Sequence, residues 1–494
     1  MNELLLINPN MVFPGDSGIS GRSANIRDVE KVINLGLLTI ATCLDDAGVS
    51  LKIIDLVGIQ NDAEMLLKAL EREKPRYVGI ACISCFAYPK VAEYAKLIKK
   101  TDKNIFIMAG GQHISGIPQI AMREMPDVDC VVKGEGEYVA RQVILNMKNR
   151  LPIDQTPSII YRSEGEVIDH THIEGEKVDL NKIPFLRYDL YPDFKKFSPH
   201  VEESRWCPFK CHFCTSTPMA NGVSSKDMPR FVDELEYVRS LYGQLKEKLK
   251  FFLACSTFGL KKKRIEEFIR IMREKELNIE WRTETRVDLP IVDYLEELVE
   301  VGLSVIDLGL ESGSPRMLRL MNKCPNPEKY LEDAEIFISK VSKIKNLALK
   351  VNLVFYAGET PDTVMESTNF LFKHRAHIDS MSAGPVVLYP GVPMEELFPQ
   401  YEADYGSSFV KGEFWEKVHA KPVNSSIHFS FNQLNEMALT LSKMLCRGKE
   451  YFEVKKYGQF PLGLEFKDFQ NMVSELEPHK LPFDFSMQKS ALSG

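Results

Sequence analysis

The chain has 494 residues, 44% hydrophobic and 27% charged, with a formal net charge of −7 and ten cysteines. That length suits two or three domains of an ordinary soluble globular protein, and the negative balance argues against nucleic acid as the main partner. No apolar run nears the ~18 residues of a membrane span, the start MNELLLINPN carries no secretory signal, and ten cysteines then imply reduced thiols in the cytoplasm and a metal site rather than disulfides.

Residues 3–9 (LLLINPN) read as a short buried strand ending in a turn, and residues 35–47 have helical periodicity stopped by Gly48. Strand 49–57, helix 63–73, strand 77–84 (YVGIACIS), helix 89–100 and strand 104–109 follow. A last strand, 129–133, opens through Gly134-Glu135-Gly136-Glu137 into a helix near 138–147. Apolar strands alternating with helices predict a Rossmann-like, doubly wound parallel sheet over residues 1–150, with ligands at the carboxyl ends of the strands. Those ends are Asn8–Pro14, Ser84–Tyr88, Gly110–Ser115 and Gly134–Glu137. No G-x-G-x-x-G follows the first strand, so a dinucleotide is disfavoured, while Gly110-Gly111 allows close backbone approach to something bulky. Cys82 and Cys85 lack the context of a redox C-x2-C and read as packing.

Ser158–Arg162 and Glu166–His172, joined by Ser163-Glu164-Gly165, predict a hairpin, and Asp179–Pro192 is a connector marked by proline and aromatics; residues 151–196 are thus read as the bridge between domains. A second α/β series begins at 197: strands 201–205, 249–254, 279–283, 304–309, 349–355 and 382–388, with helices 229–242, 261–275, 291–301, 327–341 and 362–374 between them. That pattern predicts a partial (β/α)6 barrel over 197–399 with its chemistry at the strand C-termini. Residues 400–494 carry Trp415, Phe429, Phe431, Tyr451, Phe452, Tyr457, Phe460 and Phe466 and a helix near 432–447, and are read as a helical, aromatic-rich cap over the barrel mouth.

The first barrel strand feeds Cys207-Pro208-Phe209-Lys210-Cys211-His212-Phe213-Cys214, a C-x3-C-x2-C loop. Thiolates are the ligands that iron–sulfur clusters take. Zinc knuckles come as two ligand pairs and no second pair follows, while His212, between two ligands, points away if they converge. Three thiolates on a four-iron cluster leave one iron open to hold a substrate or cofactor.

This loop resembles that of the radical SAM superfamily, whose open iron binds the amino and carboxylate groups of S-adenosylmethionine (SAM). A GGxH loop and a GEGE upstream of it make the first domain similar to the cobalamin-binding domain of cobalamin-dependent radical SAM enzymes. The resemblance implies Cys207, Cys211 and Cys214 on a [4Fe-4S] cluster. For SAM it implies Glu311 and Ser312 (in GLESGS), Arg286 three residues past the third strand, and Gly358 (in AGETP), with Tyr389-Pro390-Gly391-Val392-Pro393 as the sixth-strand turn. For cobalamin it implies Asn8, Ser84, Phe86, Tyr88, Gly110, Gly111, Gln112, His113, Gly134, Glu135, Gly136 and Glu137. No D-x-H-x-x-G occurs, so Phe86 or Tyr88 is expected at the lower face of cobalt and His113 at the corrinoid edge. Cys255-Ser256-Thr257-Phe258 stands where the family often has two aspartates, and Cys255 and Cys324 are the thiols that face the active site as candidate catalytic groups, with a packed thiol as the plainer alternative.

The activity implied is C-methylation of an unactivated carbon, one SAM methylating cob(I)alamin and a second giving the 5′-deoxyadenosyl radical. An external electron donor such as flavodoxin or ferredoxin is implied with it. A non-methylating cyclisation or rearrangement within the same family, and a cobalamin- or redox-sensing protein, are the alternatives.

Overall fold

The computed structural model describes residues 2–14, 32–216, 222–243, 247–474, 476 and 480–485. Two compact units emerge, one taking residues 2–14 and 33–194 together with 413–420, the other 195–412 and the chain from 421 on.

In the first unit, strands β1 (Leu4–Asn8), β2 (Leu51–Asp55), β3 (Tyr77–Ala81), β4 (Phe106–Gly110) and β5 (Cys130–Val132) pair in parallel in the order β2-β1-β3-β4-β5. All five residues of β1 are buried, which requires helices on both faces of the sheet. Tyr94, Ile98 and Leu66 from helices Tyr88–Thr101 and Asp62–Glu73 pack with Val78 and Ile107 of the sheet in one core. The expected hairpin forms as β6 (Ile159–Ser163) and β7 (Glu166–Asp169), but it extends this sheet: β6 pairs antiparallel with β5. The connector also belongs here. Tyr188 and Tyr191 are buried, Arg187 donates to Asp45 Oδ2 at 2.8 Å, and Tyr191 donates its hydroxyl to Asp55 Oδ2 at 2.9 Å.

In the second unit, β8 (His200–Glu202), β11 (Leu249–Ala254), β12 (Ile279–Thr285), β13 (Leu303–Glu311), β14 (Ala348–Phe355) and β15 (Ser380–Pro385) form a parallel sheet, β9 (Ser204–Arg205) and β10 (Ser224–Ser225) pairing separately. Sequence order equals spatial order, so every crossover moves the same way and the helices gather on one face; this is the winding of a partial (β/α)6 barrel. Alternation assigns the two faces. Trp281 packs with Phe258 and Phe268 on the helix side, while Arg282 and Glu284 share the interior with Asp307 and Lys350.

The C-terminal residues are helical, as expected, but only part of them lies at the mouth, where Tyr401 and Val423 share a core with Tyr356 and with Phe213 of the cysteine loop. Ser198 donates to the Lys456 carbonyl at 2.8 Å, His200 Nε2 meets that of Gly458 at 2.8 Å, and Arg282 donates to that of Val454 at 3.2 Å. Helix Gly448–Lys455 and the following loop therefore close the amino-terminal ends of the strands, opposite the cysteine loop. Phe452, Phe460, Phe466, Phe469 and Phe483 form their own cluster there, and Trp415 packs in the first unit.

Candidate active site

In the first unit the loops at the carboxyl ends of β1, β3, β4 and β5 are laced together. Cys82 N–H donates to Gly110 O at 2.6 Å, His113 N–H to Cys82 O at 3.1 Å, and Gly134 N–H to Ser115 Oγ at 2.9 Å. Gly111 sits at φ 121°, and a methyl group there would lie 2.7 Å from the Cys82 carbonyl oxygen. At Gly111 the close neighbour is thus the backbone of Cys82, just past β3, whereas Gly134 (φ 83°) has open space beside its α-carbon. Gly111→Ala is expected to cost about 1–3 kcal/mol through left-handed strain and this clash, read as a lower denaturation midpoint and weaker cobalamin retention; an unchanged midpoint contradicts it.

The side chains expected around cobalamin divide. Asn8 donates its amide to Asp55 (2.9 Å) and the Tyr191 hydroxyl (3.2 Å) and accepts from Asn34 (2.8 Å), so it holds the loop from inside. Ser84 Oγ accepts from Phe86 N–H at 3.3 Å and starts a helical turn. Gly136 packs on Ile40, Glu137 is buried at the helix start, and Glu135 accepts from Val178 N–H at 3.3 Å. Gln112 is exposed.

Tyr88, offered for the lower face of cobalt, is buried. Its hydroxyl donates to Glu124 Oε2 at 3.0 Å and its ring lies edge-on to His113 and His419, with centroids 5.4 and 5.6 Å away. Phe86 stays partly exposed beside Phe13, Phe414 and Trp415. His113 is buried, and among the described residues its Nε2 has no hydrogen-bond partner. Burial and then the nearby His419 push its pKa down to about 4, so the ring is neutral at physiological pH. An orphaned neutral imidazole nitrogen under glycine-bordered loops fits a large, partly apolar group with a polar edge.

In the second unit, Arg205 ends β9 and Trp206 turns the chain at φ 64° into the cysteine loop. Cys211 is buried and Cys207 and Cys214 are partly exposed. His212 is turned away as expected, its Nδ1 3.0 Å from Leu320 O and its N–H donating to Met321 O. Among the described residues no three His, Cys, Asp or Glu side chains converge on one ion. The thiolates of a four-iron cube each take a different iron and need no such convergence.

Two cations stand behind the loop. β12 runs to Thr285, so Arg286 follows it directly rather than three residues on. Its guanidinium stacks 3.7 Å from the Phe209 ring centroid, grips Asp288 with two bonds (2.9 and 2.8 Å), donates to Lys323 O at 2.7 Å and points at Cys211 Sγ at 3.9 Å. Lys323 donates to Glu311 Oε1 at 3.0 Å, and Glu311 ends β13 just after a bulge, at φ 67°. Burial raises the thiol pKa of Cys207 and of Cys211, while Arg286 and Lys323 act to lower both, which favours the thiolates that iron requires. Three soft donors on one short loop with two buried cations nearby fit a [4Fe-4S] cluster.

Arg286→Lys keeps the charge but loses the fork that holds Asp288 and the Lys323 carbonyl. Loss of iron to a chelator is expected to speed up about tenfold, one order of magnitude per ~1.4 kcal/mol. An unchanged rate means that Arg286 does not brace the loop.

The other expected SAM residues are tied internally. Ser312 Oγ lies 3.0 Å from Ser367 Oγ and accepts from Ser314 N–H. Gly358 (φ 90°) donates to Ser425 O at 2.7 Å, accepts from Arg316 at 2.8 Å and lies against Tyr405. Next to it, burial pushes the Glu359 carboxyl up to about 7, although Thr363 donates to it. Cys255 is buried with its sulfur 3.4 Å from Thr283 Oγ1, and burial drives its pKa well above the ordinary thiol value. Burial also raises Cys324, to about 11. Neither is poised as a thiolate, so the plainer reading of packed thiols is favoured.

Comparison with known proteins joins the two halves. Residues 24–144 match the B12 binding domain and residues 201–371 the radical SAM superfamily. The chain belongs to the cobalamin-dependent radical SAM family. The cofactors that go with this pair of domains are cobalamin, a [4Fe-4S] cluster and SAM. An uncharacterized methyltransferase of Pyrococcus horikoshii, PH0819, is 26% identical over 412 residues, 82% of this chain and 85% of that protein. The anaerobic magnesium-protoporphyrin IX monomethyl ester cyclase of Rubrivivax gelatinosus is 25% identical over 51% of this chain and 46% of its own length. Among solved structures, the radical SAM methyltransferase TsrM of Kitasatospora setae, with cobalamin and [4Fe-4S] cluster bound, matches with a TM-score of 0.65 over 84% of this chain and 81% of its own; at 16% identity the likeness is one of fold.

Among the described residues of this radical SAM protein no helix is long and apolar enough to cross a membrane. Several of its site residues escaped the sequence reading: Lys323, Asp288 and Tyr330 around Arg286, and the charged set Arg282, Glu284, Asp307 and Lys350 inside the barrel.

Proposed function

We propose that this protein is a C-methyltransferase that acts on an unactivated carbon of an amino-acid, peptide or protein, or natural-product substrate. The observation that carries the reading is one chain with a B12-binding domain and a radical SAM barrel whose cysteine loop is braced by Arg286 and Lys323. The P. horikoshii relative, named a methyltransferase and covered over 85% of its length, supports it. When bound, the cluster and SAM would supply a carbon radical and cobalamin a transferable methyl group.

The chain's own residues then have definite work. Cys207, Cys211 and Cys214 would hold three irons, and Phe209 and Arg286 would fix the loop. The 84–88, 110–115 and 134–137 loops would cradle the corrinoid, with the neutral His113 nitrogen at its edge. The closed amino end of the barrel keeps water out from below. Ten free cysteines, eight of them buried and none disulfide-bonded in the described structure, support a cytoplasmic setting with a flavodoxin- or ferredoxin-like electron donor.

The cyclase relatives favour a second reading, oxidative cyclisation or rearrangement without methyl transfer. Product stoichiometry decides. Methylation predicts S-adenosylhomocysteine and 5′-deoxyadenosine in equal amounts per product; deoxyadenosine without S-adenosylhomocysteine supports the second reading and sinks the first.

A further inference from the structure

Inside the barrel, strand register sets Glu284 of β12, Asp307 of β13 and Lys350 of β14 side by side. Asp307 is saturated: it accepts from Arg282 Nε at 3.0 Å and from Lys350 Nζ at 2.8 Å. The neighbouring carboxylates have cations too, Glu311 with Lys323 at 3.0 Å and Glu202 with Arg205 at 2.8 Å. Glu284 differs. Among the described residues its carboxylate makes no hydrogen bond or ion pair, and the residue is partly exposed although Thr283 and Thr285 on either side are buried.

A carboxylate in such a wall is costly unless something pairs with it. Burial and then the charge of Asp307 raise its pKa, while Lys350 and Arg282 pull the other way without touching it. Two cations, Arg282 and Lys350, face two anions, Asp307 and Glu284, so the set is neutral and Glu284 can balance charge from a distance while its oxygens stay open to a ligand.

We propose that Glu284 is an anionic subsite for a primary ammonium group of the molecule held in the barrel, which narrows the substrate to an amine-bearing compound. The inference rests on reading the barrel interior as the reaction chamber. SAM carries the same group, so the test must separate the two sources.

The test uses full-length protein reconstituted anaerobically with cluster and cobalamin, as wild type, Glu284→Gln and Glu284→Asp. Equilibrium dialysis measures SAM and desamino-SAM. At saturating SAM it also measures putrescine, tryptamine and L-lysine methyl ester, each beside its N-acetylated form. The expected result is that at least one amine binds the wild type about tenfold tighter than its acetylated form, that Glu284→Gln erases that difference, that Glu284→Asp keeps part of it, and that SAM affinity does not change. Loss of SAM affinity in Glu284→Gln, with desamino-SAM indifferent, supports the subsite and assigns it to SAM. Equal binding of every amine and its acetylated form to wild type, with SAM indifferent to the substitution, overturns it. These are binding measurements, so a failure of the methyl-transfer reading shows separately, in the products formed.

Discussion

Cys211→Ala protein, reconstituted anaerobically with iron and sulfide, is expected to show no thiolate-to-iron charge-transfer absorbance and to cleave no SAM. Cys207→Ala and Cys214→Ala should do the same. Three thiolates already leave one iron open on a four-iron cube, so there is no spare donor to lose. The neighbours offer no substitute: His212 is bound to the Leu320 carbonyl, and Cys255 is buried beside Thr283 with its proton held firmly. Cys43→Ala, a core position of the first unit, is the control and should keep its cluster. Full iron content in Cys211→Ala would remove the loop from the metal site.

Asp307→Ala is expected to be the most destabilising single change in the second unit. Asp307 has no exposed surface and holds Arg282 and Lys350, themselves buried. Removing one partner of a buried ionic set leaves uncompensated charge and costs about 3–5 kcal/mol. The loss extends further, because Arg282 also donates to the Val454 and Tyr457 carbonyls that close the amino end of the barrel. Urea denaturation followed by tryptophan fluorescence in a Trp415→Phe background, which leaves Trp206 and Trp281, reads the second unit; a single free energy for the whole chain is not defined when two units unfold separately. A shift worth less than about 1 kcal/mol would mean that the network is incidental.

The pH dependence of this network has a definite sign. Burial pushes the Asp307 carboxyl upward, but Arg282 and Lys350 overcome it and hold the pKa near 2, below the ordinary 3.8. Its contribution is therefore complete above about pH 4 and is lost as the pH falls through about 2.

The strand-and-helix order of both units was legible because buried parallel strands appear as apolar runs and their helices as 3.6-residue periods. The cysteine loop was legible because ligand spacing is local. What failed was non-local. Residues 413–420 join the first unit from more than two hundred residues downstream, and nothing in their composition announces it. Aromatic content foretold a packed C-terminal region but not that it divides between the two ends of the barrel. Gly111 was rightly marked as a point of close approach, yet sequence does not say which backbone approaches, and it is that of Cys82. Tyr88 was placed near cobalt by position alone, and its bond to Glu124 and its contacts with His113 and His419 are visible only in the structure. One signal was present and passed over: Arg282, Glu284, Asp307 and Lys350 are charged residues inside largely buried strands, and they line one wall.

The most direct test of the central claim follows methyl-labelled SAM on the anaerobically reconstituted, cobalamin-loaded protein with a reductant. Label recovered on cobalamin, together with S-adenosylhomocysteine, is the result predicted for a methyltransferase that uses both domains. 5′-Deoxyadenosine formed while cobalamin stays unlabelled would contradict methyl transfer and leave the chain a radical enzyme of another kind.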